Sequence, residues 1–496
     1  MIVLPGAAVI VKAVSGISSP VQTMRVLFVP ELYRPDDATA NGTLNDAVAL
    51  VEEWLARDDS LHVYWLLAPP EVANYDPEYV LADRERVTLV AADPFMHGHE
   101  HEDAFSETGY TEAQFRAIEE EIFDQSGYVD VVIDQQVTGR YDIYKWLHRL
   151  GGGPDAAVRP TELVGYVHDL RLPFKRHGRE MPDGAAMYAE MAATTYTDGL
   201  WFKAGVDAER LHEYGTAVLS DELLDELVGD ALETGSPLDF EEFTEEYADD
   251  PERLHVAGSG WGKKNLDVVL DAAETLYREF GIRTLMTNMD PIPDGMADRE
   301  FMDAFPECSR ERYESVLDAG DLAVVASDHE TMPRTPFEQA ASGQVLVVRD
   351  EPWAYDCVPE DYRLAGSLDE LETLAVRAVR DWDEAVAENR RMVEHLRDVR
   401  GPEQCGRRTH RDLRERVERR VESFADGDDE TLPRAVESAT RRFDGGVPLD
   451  DLRERVAERV GEAVEDATVT DLVYALRSLG YADAGNPGTP VFVRAE

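Results

Sequence analysis

The stretch 328-DHETMPRTPFEQAASGQVLVV-348 decides how the rest of the chain is read. It follows the apolar run 321-DLAVVAS-327 and closes in a second one, 344-QVLVV-348, with a run of small residues between them. Short continuous Val/Leu runs joined by a helix are the pattern of a βαβ unit covered on both faces. Residues that follow a strand in such a unit lie at its carboxyl end, where parallel α/β sheets bind ligands. Glu330 is therefore expected to point towards ligand space. The segment 335-TPFE-338 reads as a helix start, with Thr335 as N-cap, Pro336 at the first helical position and Glu338 three residues on. That capping box is by itself a structural reason for Glu338. Unpaired N–H groups around 332–337 equally suit an anion such as a phosphate. Two carboxylates beside exposed amides suit a polyhydroxylated, phosphate-bearing ligand.

The same alternation runs through the chain from Met24. Strand-like runs stand at 25-RVLFVP-30, 61-LHVYWLLA-68, 86-RVTLVAA-92, 129-VDVVID-134 and 162-ELVGYVHD-169, and the weaker 199-GLWFKAG-205 and 215-GTAVLS-220 continue the series. The acid-rich segment 221–252 reads as a solvated helix and linker. A second series follows at 254-LHVAGS-259, 282-IRTLMTN-288, 321–327 and 344–348, with helices expected at 265–280, 310–319, 336–342 and 368–397. The fold class is α/β: two Rossmann-like doubly wound domains facing a cleft. The expected division is a leader at 1–23, an acceptor-side domain at 24–225, an acidic linker at 226–252 and a nucleotide-side domain at 253–400. An amphipathic helix at 401–429 packs back on the domains, and a small helical module occupies 430–496. That module, with 449-LDDLRERVAERVGEAV-464, 468-TVTDLVYALRSLGY-481 and 490-PVFVRA-495, resembles a winged helix; its acidity favours a structural or protein-contact role over DNA reading.

Composition narrows the classes further. The 496 residues hold 49 Lys and Arg against 102 Asp and Glu, a net charge of −53 spread along the whole chain. Acidity this even reads as a solvation adaptation to high salt, where screening relieves the repulsion. It argues against nonspecific nucleic-acid binding, which depends on phosphate neutralisation by basic side chains. Cys308, Cys357 and Cys405 lie far apart without a CxxC spacing, so neither a disulfide framework nor a zinc site is signalled, and a cytoplasmic setting is expected. No run of 18 apolar residues occurs, so no transmembrane segment is expected. The leader is apolar but broken by Pro5, Gly6 and Lys12, and Met24 directly precedes the first strand, as a start placed too early would leave it.

A second chemistry-bearing element is 254-LHVAGSGWGKKNLDVVLDAAETL-276, a strand running into a Gly-rich turn at Gly258, Gly260 and Gly262 and then into a helix. Lys263 and Lys264 stand at the helix start, where the dipole disfavours cations, and a bound diphosphate would explain them. The cluster 97-HGHEHED-103 reads as a solvated loop ahead of an acceptor contact or a metal site.

These segments resemble the C-terminal domain of retaining GT-B glycosyltransferases, particularly family four, whose hallmarks are a Gly-containing turn leading to a lysine and an E-x7-E followed by A-x-G-x-x-V. The counterparts are 258-GSGWGKKN-265 and 330-ETMPRTPFEQAASGQVLVV-348, and the likeness extends over about 24–424, strong in the second half and loose in the first. The resemblance implies the GT-B fold and transfer of a sugar from a nucleotide-sugar donor, with retention, without a metal and without a cofactor. It implies Glu338 at the ribose hydroxyls, Glu330 at the donor sugar, Lys264 at the diphosphate, and Gly258 with Met332, Pro333, Arg334 and Thr335 around the sugar and phosphate. In the first half, 164-VGYVHDLRLP-173 implies His168 facing the transferred sugar, and 39-TANGT-43 implies Gly42 at a phosphate or acceptor loop. Ser259 stands where the family carries an arginine, and 332-MPRT-335 replaces its glycines, with Arg334 a source of replacement charge. The acceptor, a glycan, a lipid-linked glycan or a small molecule, is left open, and with it a peripheral membrane contact. A GT-B-like protein that binds a sugar nucleotide or a partner without catalysis is the alternative.

Overall fold

The computed structural model describes residues 23–31, 38–92, 117, 121, 128–135, 162–168, 194–195, 197–216, 219–257, 264–288, 292, 297–328, 330, 333–426, 431–441, 443, 446–460, 469–483 and 490–494. The first sheet is parallel and contains β1 (Met24–Val29), β2 (Leu61–Leu67), β3 (Val87–Ala91), β4 (Val131–Asp134), β5 (Glu162–Val167), β6 (Gly199–Phe202) and β7 (Leu232–Glu233). Their spatial order is 3-2-1-4-5-6-7. The second, also parallel, contains β8 (Arg253–Ala257), β9 (Arg283–Thr287), β10 (Met302–Phe305), β11 (Leu322–Val325), β12 (Val345–Arg349) and β13 (Ala365–Gly366) in the order 10-9-8-11-12-13. These two Rossmann-like sheets, with a small C-terminal helical module, make a GT-B-like two-domain architecture.

The apolar runs explain the central strands. Every residue of β1 and β2 is buried, as a strand covered on both faces requires. Four sequence expectations are corrected. None of the described residues of the run 215–220 is in a strand: Gly215 ends the helix Gly205–Gly215, and Ser220 caps the helix Asp221–Gly229, its hydroxyl accepting from Leu223 N at 3.3 Å. The seventh strand comes instead from Leu232–Glu233, within the segment read as linker. The helix expected over 368–397 is two, Leu371–Arg380 and Trp382–Arg400, broken at Asp381 where φ and ψ are −111° and 47°. Strands β10 and β13 were not expected, because neither Met302–Phe305 nor Ala365–Gly366 carries a continuous apolar run.

The chain ends by returning to the first domain. After the helix Trp382–Arg400 packs in the second core, the helix Pro402–Asp426 crosses to the first, where the Trp54 indole donates to Thr409 Oγ1 at 2.8 Å and the Trp201 indole to Asp412 at 2.7 Å. Helices Thr431–Thr440, Leu449–Val460 and Val469–Ser478 follow. With them goes an antiparallel sheet of β14 (Val447–Pro448), β15 (Tyr481–Asp483) and β16 (Val491–Arg494), in the order 14-16-15. This is the helix and strand succession of a winged helix. Its third helix buries Leu472, Val473, Tyr474, Leu476 and Arg477, and Leu472, Tyr474 and Phe492 belong to the same core as Val26, Trp54 and Trp65. Four buried polar contacts fasten the joint: Arg25 to Asp483 at 3.0 Å, Arg477 to Asp130 at 2.6 Å, and the Tyr474 and Tyr128 hydroxyls, which donate to Asp130 and Asp483.

Candidate functional site

In an open parallel sheet the strand order reverses at one point, and the loops leaving the two strands there diverge and leave a crevice. In the second sheet that point lies between β8 and β11. Lys264 follows β8 and Glu330 follows β11, so the fold brings them together, and Lys264 Nζ donates to Glu330 Oε1. Asn265 pins the same turn: its backbone is left-handed (φ 45°), and its side-chain amide donates to Ala326 O at 2.9 Å and to Asp328 Oδ1 at 2.7 Å. The helix Leu266–Phe280 starts there with no side-chain cap.

Glu338 sits in the helix Arg334–Ala341, whose N-cap is Pro333. The expected capping box is not formed: the helix begins before Thr335, and no side chain caps it. The Glu338 carboxylate has stronger donors. It is 3% exposed and accepts from the Tyr313 hydroxyl at 2.9 Å, Arg310 Nη1 at 3.2 Å and Arg334 Nε at 3.4 Å. Burial, and then this carboxylate, push the Tyr313 phenol well above its ordinary range, which keeps it a donor; Thr335 hydrogen-bonds the same hydroxyl. One further correction concerns Pro333. It has no backbone N–H to offer an anion; its carbonyl accepts from Arg400 Nη1 at 3.4 Å.

The first sheet reverses between β1 and β4. Gly42 is the first residue of the helix Gly42–Arg57 that follows β1, and Asp46 lies a turn further on. Asp46 is fully buried, accepts from Ser236 Oγ at 2.9 Å through both oxygens, and pairs with Lys203 at 2.7 Å and Arg334 at 3.2 Å. Lys203 immediately follows β6, and Arg334 also donates to Pro237 O at 3.1 Å, so Arg334 ties the second domain to the first. His168 immediately follows β5, is 7% exposed and lies with its ring centroid 4.3 Å from that of Tyr166. Neither ring nitrogen has a hydrogen-bond partner among the described residues. Burial, and then the Lys203 ammonium, hold it well below the ordinary imidazole range, so it is neutral at neutral pH. Arg400 is fully buried against the Phe337 ring, 4.8 Å from its centroid, and donates to Ser236 O at 2.8 Å.

The fold thus pairs Lys264 with Glu330 and Arg334 with Glu338, and sets His168, Gly42 and Lys203 at the carboxyl ends of the first sheet. Gly258, Ser259, Lys263, Met332 and the 97–103 cluster lie outside the described residues. Sequence reading missed Asp46, Lys203, Arg310, Tyr313 and Arg400. Lys203 carried a usable signal: the chain has six lysines in all, and this one ends a strand. Among the described residues no group of three His, Cys, Asp or Glu could hold a metal ion, and no helix is long and apolar enough to cross a membrane.

No protein-family model matches the chain, and no curated protein matches it. Solved structures do. A sucrose-phosphate synthase from Thermosynechococcus elongatus superposes with a TM-score of 0.56 at 12% identity, over 79% of this chain and 98% of that one. TarM gives 0.53 at 9%, over 79% and 99%, and Anabaena Alr3699/HepE, solved with UDP and glucose, gives 0.51 at 11%, over 79% and 100%. Likeness at such identities is likeness of fold, and it agrees with the two facing sheets described above.

Proposed function

We propose that the protein is a glycosyltransferase that moves a sugar from a nucleoside-diphosphate donor to an acceptor hydroxyl, with retention of configuration and without a metal ion. The observation that carries the reading is the meeting of Lys264 and Glu330 at the β8–β11 reversal, with buried Glu338 eight positions on in the next helix. A cation and a carboxylate side by side at a sheet's crevice suit a ligand that is phosphate at one end and polyhydroxylated at the other. The fold's likeness to a structure holding UDP and glucose supports the same ligand class.

In this reading Lys264 and the amides at Gly258, Met332, Arg334 and Thr335 face the diphosphate and sugar, Glu338 the ribose hydroxyls, and Glu330 the sugar hydroxyls. Bond breaking leaves the electron pair on the diphosphate while positive charge grows on the sugar. Fixed cations and amides aimed at the leaving group stabilise that state without reorganising. Neutral His168 has both nitrogens buried and unpartnered among the described residues, one able to donate to a sugar hydroxyl and one to accept. Gly42 lets the chain pass close to the phosphate or the acceptor.

A second reading, a sugar-nucleotide binder that does not turn its ligand over, draws on Glu338, whose carboxylate already accepts from three side chains. Donor hydrolysis and transfer across a panel of nucleotide sugars, run in high salt with Glu330→Ala as control, separate the two. Turnover lost in the control supports the enzyme. Binding without turnover with any acceptor favours the binder, and no binding removes both.

A further inference from the structure

Cations from several elements meet the buried acids of this site: Lys203 and Arg334 pair with Asp46, and Arg334 and the half-exposed Arg310 pair with Glu338, while Glu242, within coulombic reach of Arg334 and Arg310, is exposed. Arg400 is fully buried, has no carboxylate in ion-pair distance among the described residues, and leaves Nη2 without a hydrogen-bond partner. A buried cation such as Arg400 is unfavourable unless an anion answers it, and a nucleoside diphosphate is such an anion.

These cations also come from unexpected places. The turn after β8 holds Ser259 where the resemblance expects an arginine. Lys203 and Arg334 instead approach from the end of β6 and from the start of the helix Arg334–Ala341, and both are held by one carboxylate. That carboxylate, Asp46, lies one turn into the 16-residue helix Gly42–Arg57, and a phosphate that met Lys203 and Arg334 would have to share them with it.

We propose that Asp46 competes with the donor diphosphate for Lys203 and Arg334, so that Lys203 contributes to donor binding from the first domain and Asp46 limits its strength. The proposal rests on the donor reading above. Removing the Asp46 charge then tightens nucleotide binding, the opposite of what a purely structural buried acid does.

The test is calorimetric titration of the full chain with UDP, GDP and ADP in high salt, on wild type, Asp46→Asn, Lys203→Gln and Lys203→Arg, each checked by thermal melting. Asp46→Asn is expected to lower the Kd of the preferred nucleotide at least threefold. Lys203→Gln is expected to raise it at least fivefold, and Lys203→Arg to return it to within about twofold of wild type. Unchanged or weaker binding by folded Asp46→Asn overturns the competition, and so does unchanged binding by Lys203→Gln. If Asp46→Asn does not fold, the Lys203 pair decides alone. Failure of the wild type to bind any of the three removes the donor reading itself, a result distinct from either of the others.

Discussion

Glu330 and Glu338 stand eight positions apart and are held by different cations. Glu330 meets a lysine whose side chain is a quarter exposed, whereas Glu338 is enclosed by two arginines and a tyrosine. Glu330→Gln is therefore expected to lower kcat by about 10²-fold, the scale seen when one electrostatic contact to a transition state is lost, with nucleotide Kd within about twofold of wild type. Steady-state transfer assays beside calorimetry check this. Buried histidines set a separate pH response. Burial lowers His62 to about 4 and His255 to about 3, and His168 lies well below its ordinary range. The unfolded chain takes up these protons at about pH 6.5 and the folded chain only lower down, so below that pH the unfolded state binds more protons and stability falls with pH. Melting temperature is expected to drop steadily from about pH 6.5 towards pH 4. His255 sits between Thr287 Oγ1 at 2.9 Å and the Gln344 amide at 3.2 Å, and His255→Gln should flatten that slope; an unchanged slope counts against the account.

At the scale of elements, the helix Arg334–Ala341 shows why the small-residue motif ends in a glycine. Gly343 has φ +86°, and a Cβ there would run into the Glu246 carbonyl, so both backbone conformation and close approach require glycine. Gly281, which ends the helix Leu266–Phe280, has φ +77° but open space around it. Gly281→Ala should cost about 1–2 kcal/mol, the ordinary penalty of a left-handed residue, and Gly343→Ala distinctly more; urea denaturation midpoints order the two. Strands with continuous Val/Ile/Leu runs were legible in sequence because burial on both faces leaves no other composition stable. Strands β10 and β13 and the exact start of the helix at Arg334 were not. A short edge strand needs no apolar run, and Glu338 was drawn from its cap by Arg310 and Tyr313, which are distant in the chain.

For the whole molecule, the C-terminal module is a part of the first domain's core. Its third helix is turned inward and locked by Arg477 on Asp130, both side chains fully buried. Arg477→Ala strands a buried carboxylate and is expected to cost about 3–5 kcal/mol, seen as a large loss of urea resistance. Charge acts over the same scale. At −53, self-repulsion opposes compaction, and screening relieves it. Melting temperature should therefore climb as KCl is raised, and a fall would count against the salt-adaptation reading.

The sequence by itself determined the central strands of two parallel sheets and placed Glu330 and Lys264 beyond strands of the same sheet, because strand burial and the carboxyl-end rule depend on local pattern. Only the tertiary structure decided what surrounds them. Asp46, Lys203, Arg334 and Arg400 are far apart along the chain and become neighbours because two domains meet at one cleft. The same reason applies to the stretch 328–348: its acids were visible in the sequence, while Lys264, Arg310 and Tyr313, which join Arg334 in holding them, come from other elements.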